Sequence, residues 1–174
     1  MGPIRGGLRG KERESGLIDM NTTALKSAGL GNAPGDAVEG RAKIFKMTQA
    51  AEEAVLRPQD YGRWSHELRA AFAARIALQY DERALSDQYA ASAGAFASLA
   101  EPSQDGADDG LETVVAFMDK VATDTRNVTA ADIAGLQAAG ISDADIVRLC
   151  ELNAFLAYQL RVIAGLRLMK DGYA

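Results

Sequence analysis

Apolar residues recur with helical spacing along most of the chain, and no stretch alternates apolar and polar with period two. The longest such stretch, Ser142 to Met169, organises the rest. Ser142 is placed to cap it through its hydroxyl, and Asp143 and Asp145 put negative charge on the first turn, where free N–H groups favour it. Its apolar residues, among them Ile146, Leu149, Leu152, Leu156, Tyr158, Ile163 and Leu168, cover more than one face. A surface helix normally shows a single stripe. The pattern therefore predicts a helix that packs on its own subunit with one side and on a neighbour with the other. Arg148, Glu151, Arg161 and Arg167 interrupt it too often for a membrane span. Glu151, Asn153 and Arg161 read as ion pairs or hydrogen bonds within the bundle or across an interface.

Upstream, Ile44, Thr48, Ala51 and Val55 share one face of a helix expected over 37–56, which Arg57-Pro58 ends because the residue before proline is pushed out of helical geometry. Ser65 caps a helix over 66–80, with Leu68, Phe72, Arg75, Ile76 and Gln79 along one side and alanines permitting close approach. A further helix is expected over 82–99, with Tyr89 and Phe96 as core. The acidic stretch 101–110 lacks the ordered ligand spacing of a calcium loop and reads as a solvated linker. Val114, Val115, Met118 and Val121 mark a helix over 111–124. Thr129 and Asp132 form a capping box for a helix over 130–139 that Gly140 closes. The fold class is an all-α bundle with a long C-terminal helix. Residues 1–36 are Gly-rich and read as a flexible segment, with Met20 as an alternative start. Residues 37–174 read as one helical domain.

Composition narrows the chemistry. The chain has 174 residues and a net charge of −5, which disfavours nucleic acid as a partner because phosphate binding needs a basic footprint. One cysteine leaves no internal disulfide or dithiol motif, and one histidine leaves no two-His metal centre within a chain. No metal or cofactor is expected, nor a membrane partner. With no apolar signal-peptide core near the N-terminus, the expected location is the cytoplasm.

Two stretches resemble the carboxymuconolactone decarboxylase (CMD) / alkylhydroperoxidase D (AhpD-like) family of bacterial proteins. One is TAADIAGLQAAGISDADIVRLCELNAFLAYQLRVIAGLRL, residues 129–168. It is similar to the family's short helix, "AGLSD-D-I" turn and long helix. The other is SHELRAAFAARIALQYDERALSDQY, residues 65–89, which looks like the family's core helix running into its redox motif. The resemblance implies an AhpD-like helical bundle, assembled as a trimer, or as a dimer or hexamer, alone or beside an active AhpD-like relative.

The family's peroxidases carry a glutamate, a Cys-x-x-Cys and a histidine. One thiolate attacks peroxide, the second resolves the sulfenic acid, and the other two groups move protons. By resemblance, Ala70 falls at the glutamate, Glu82 and Leu85 at the cysteines, and Tyr89 at the histidine. None of the four can do that work, so the peroxidase chemistry is expected to be lost and the protein to act as an oligomeric structural or regulatory subunit. Two alternatives stand beside this. One is an enzyme of different chemistry, reducing peroxide through Cys150 or running a cysteine-free lactone decarboxylase or isomerase reaction with Glu82, Glu151 or His66 as base. The other is a small-ligand-binding helical module. Cys150 otherwise reads as a small buried apolar residue and His66 as an exposed or capping side chain.

Overall fold

The structure is a computed structural model that describes residues 21–31 and 35–172. The described residues form an all-α fold: α1 (Thr23–Ser27), α2 (Asp36–Glu39), α3 (Ala42–Leu56), α4 (His66–Gln79), α5 (Arg83–Ala90), α6 (Glu112–Thr123), α7 (Ala130–Ala138) and α8 (Asp143–Asp171). Short 3-10 turns cover Gly94–Ala100, Ala107–Asp109 and Thr125–Asn127.

The centre of the bundle is α4, where every residue from Leu68 to Ala77 is buried. Its alanines let α5, α6, α8 and the 94–100 turn approach closely, around Phe72 and Ile76 as the large anchors. Burying each of those two side chains contributes roughly 1.5–3 kcal/mol. Along its length α8 meets α1, α3, α4, α6 and α7. By length and composition it is the one helix among the described residues able to cross a membrane, but half of its most apolar window is buried inside the bundle.

The caps hold as the sequence predicts. The hydroxyls of Ser65 and Ser142 accept from the N–H groups of Leu68 and Asp145, and Thr129 with Asp132 forms the capping box. The Lys120 ammonium beside Asp132, with hydrogen bonds from Thr129, holds the Asp132 carboxyl down to about 2.

Five expectations are corrected. The helix expected over 37–56 is broken at Gly40 and Arg41 into α2 and α3. Its buried face is Phe45, Thr48, Glu52 and Leu56, rotated by one residue from Ile44, Thr48, Ala51 and Val55, because Phe45 is the largest apolar side chain of the helix and takes the core. The helix expected over 82–99 ends at Ala90 and gives way to a 3-10 turn. Gly94 sits at φ +53 at this break, in the left-handed region glycine favours, and a Cβ there would lie 2.5 Å from the Glu67 carboxyl. The packed unit also begins before residue 37: α1 buries Ala24 and Leu25 and contacts α3, α5 and α8. The rest of the expected tail, residues 1–20, lies outside the described residues, as do 32–34. Finally, Cys150 is exposed rather than buried.

Candidate functional site

Two buried arginines on α4 set the positions of the surrounding loops. Arg69 donates from Nε to the Trp64 carbonyl (3.0 Å), from Nη1 to Val55 (2.9 Å) and from Nη2 to Tyr61 (3.2 Å), tying the α3–α4 loop to α4. Trp64 then anchors that loop to α8, its Nε1 donating to the Asp145 carbonyl at 2.8 Å. Arg75 does the same on the other side, binding Asp119 of α6 and the carbonyls of Leu99, Glu101 and Pro102.

Between α1, α3, α4 and α5 this framework leaves a cavity of about 300 Å³, bordered by Thr23, Gln49, Glu52, His66, Glu67, Ala70, Gln88, Tyr89 and Ser92. Its polar wall is a connected network. The Thr23 hydroxyl donates to Glu52 Oε1 (2.7 Å), Gln49 Nε2 donates to the same oxygen (3.3 Å), and Gln159 Nε2 from α8 donates to Glu52 Oε2 (2.7 Å). The Tyr89 hydroxyl donates to Gln159 Oε1 at 2.6 Å, which fixes the orientation of that amide. Glu52 is 7% exposed and Gln159 is fully buried. Burial pushes the Glu52 carboxyl above its usual value, and the hydrogen bonds from Thr23, Gln49 and Gln159 only partly oppose this. Burial and the neighbouring Glu52 charge raise the Tyr89 phenol, so that it acts as a donor and not as a phenolate.

At the cavity mouth His66 Nε2 lies 3.0 Å from the Pro58 carbonyl. A carbonyl only accepts, so Nε2 carries the proton in that bond, and in the neutral ring Nδ1 is left as the acceptor. The Tyr61 ring meets the imidazole edge-on.

Of the four positions aligned with the redox motif, Ala70 and Tyr89 border this cavity, 19 residues apart in sequence but on facing walls formed by α4 and α5. The other two are elsewhere. Leu85 is fully buried in the core. Glu82 pairs with Arg167 of α8, and its Oε2 is buried without a hydrogen-bond partner among the described residues.

Cys150 and Glu151 lie on the exposed side of α8, among neither group. Partial desolvation and the adjacent Glu151 charge raise the Cys150 thiol, which is the opposite of what a reactive cysteine requires. Among the described residues no three His, Cys, Asp or Glu side chains converge to hold a metal ion.

Sequence reasoning missed Glu52 and Gln159. The available signal was the spacing of Phe45, Thr48, Glu52 and Leu56, which would have put a carboxylate on the buried face of α3.

Neither a protein-family model nor a curated protein nor a solved structure matches the chain.

Proposed function

We propose that the chain is a redox-inactive, AhpD-like cytoplasmic protein that works as an oligomeric structural or regulatory subunit, with a second copy as its partner. The observation that carries this reading is the outer face of α8. Val147, Glu151, Ala154, Tyr158, Arg161, Gly165 and Leu168 are all exposed and alternate four and three residues apart, the spacing of a helix-pairing seam. Val147, Tyr158 and Leu168 are 54%, 42% and 52% exposed, and Ile44 and Met47 extend the apolar surface onto α3.

The seam is self-complementary about a two-fold axis passing residue 156. With two α8 helices antiparallel across that axis, Glu151 meets Arg161 of the second copy at two symmetric places. Ala154 meets Tyr158, and Val147 meets Gly165, so a large side chain faces a small one each time. Such an interface is isologous and closes as a dimer. Neither Glu151 nor Arg161 has an ion-pair partner among the described residues of its own chain. Arg161 only donates to the Ala157 carbonyl of its own helix. Redox inactivity is supported by the raised Cys150 thiol and by the separation of Glu82 and Leu85 from the cavity. Light scattering of the purified chain tests the reading. The expected mass is twice the 18.4 kDa of the chain, whereas a monomer at tens of micromolar would contradict it.

A second reading, a small-ligand-binding module, is favoured by the Glu52 cavity, which places a buried carboxyl and several hydrogen-bonding groups around open space. A cysteine-free lactone reaction would draw its acid or base from the same wall, from Glu52 or His66.

A further inference from the structure

Among the described residues four charged side chains are buried, Glu52, Arg69, Arg75 and Glu82, and two of them lack an ion-pair partner. Arg75 pairs with Asp119, Glu82 pairs with Arg167, and Arg69 is surrounded by three carbonyls. Glu52 is equally buried, but no cation pairs with it among the described residues, and its three donors are neutral groups. An ionised carboxylate taken out of water calls for a counter-charge. Here it borders a cavity of about 300 Å³ rather than a packed core, so the counter-charge has room to arrive from outside.

We propose that this cavity binds a small organic cation, a primary ammonium or guanidinium on a short alkyl chain, with Glu52 as its counter-ion. The proposal rests on the ligand-binding reading of the same cavity. The charges around it select for a cation. Glu67 adds a second carboxylate at the mouth, without an ion-pair partner among the described residues. The one arginine of the lining, Arg57, is held by both oxygens of Glu53, at 2.9 and 3.0 Å. The hydrogen on His66 Nε2 is committed to the Pro58 carbonyl and is not free for an anion. An anion would meet two carboxylates, Glu52 and Glu67. Leu56 and Ala70 supply the apolar wall for an alkyl chain, and Ala70 opens that wall where a longer side chain would fill it. Tyr89 adds an aromatic side chain, of the kind whose ring faces attract cations.

The test is a two-dimensional NMR titration of the full chain with three probes of similar size, n-butylammonium, 1-pentanol and butanoate, following the side-chain amides of Gln49, Gln88 and Gln159. The expected result is saturable shifts with butylammonium only, at least about tenfold weaker in Glu52→Gln because a buried charge partner is gone. In Ser92→Trp the shifts disappear, because Ser92 is an exposed rim residue whose enlargement blocks the mouth without touching the core. Selectivity among the three probes is read on the wild type, so the test stands even if Glu52→Gln fails to fold. Saturable binding of pentanol or butanoate at least as tight as that of butylammonium overturns the cation assignment and leaves a ligand-binding cavity. Absence of saturable shifts with all three overturns both.

Discussion

Replacing Arg75 with alanine tests the account of how α4 holds the bundle together. The guanidinium is 2% exposed, and each of its five N–H groups has an acceptor. Nε and Nη2 grip the two oxygens of Asp119 at 2.6 and 2.7 Å. Nη1 reaches the Leu99 carbonyl at 3.1 Å and Glu101 at 2.8 Å, and Nη2 also reaches Pro102 at 3.0 Å. Alanine leaves the Asp119 carboxylate, which is 29% exposed, with Gln79 Nε2 as its remaining side-chain donor at 2.6 Å, and removes the donors of three carbonyls at the end of the 94–100 turn. Removing one partner of a buried ion pair costs about 3–5 kcal/mol. Against a typical domain stability of about 5–15 kcal/mol, that is a large fraction, and it corresponds to a fall in Tm of roughly 6–20 °C for a chain of this size. Arg75→Lys keeps the charge but has three donors for five acceptor contacts, so it is expected to lose less, about 1–3 kcal/mol. Urea unfolding followed by fluorescence of Trp64, the single tryptophan and 1% exposed, gives both values. A cost below about 1 kcal/mol for Arg75→Ala would refute the assignment of Arg75 as the tie between α4, α6 and the 99–102 loop.

Two further outcomes are expected. Purified protein with a dithiol reductant consumes no peroxide above background, and Cys150→Ala behaves identically, since the Cys150 thiol is raised and exposed without a cation to stabilise its thiolate. Turnover that vanishes in the variant would make the protein a one-cysteine peroxidase. The second outcome concerns pH. Burial raises the Glu52 carboxyl in the folded state above its ordinary 4.5, so the native state holds that proton more tightly than the unfolded chain does. Its contribution is fully present below the unfolded value and is lost as pH rises through the folded value. The stability of wild type minus that of Glu52→Gln should therefore fall as pH rises above the ordinary carboxyl value of 4.5, while carboxyls held low, such as Asp132 and Asp145, cancel in the difference. A difference that stays level or rises would show that the carboxyl is not desolvated.

What the sequence made legible was local. The caps at Ser65, Thr129 and Ser142 and the stop before Pro58 depend on a few adjacent residues, and each is where the pattern places it. The open outer side of α8 was also readable, from apolar residues on more faces than one bundle could cover.

What escaped was set by distant partners. Glu52 and Gln159 are 107 residues apart, and nothing in the local pattern of α3 marks a glutamate as buried until Phe45 is seen to turn inward. The 82–99 stretch is uninterrupted in helix-forming residues apart from Gly94, which takes a left-handed φ of +53 after α5 has ended at Ala90. Helical periodicity likewise gave no reason to place the five-residue α1 in the core, where Leu25 is fully buried.

The self-complementary face of α8 is tested most directly by sedimentation equilibrium on charge-reversed chains. Glu151→Arg alone and Arg161→Glu alone each place like charges opposite one another at two symmetric positions, and each is expected to shift the protein toward monomer. The double variant restores opposite charges with the order exchanged, and is expected to sediment as a dimer like the wild type. A wild-type monomer, or two single variants that associate as tightly as the wild type, would contradict the antiparallel pairing.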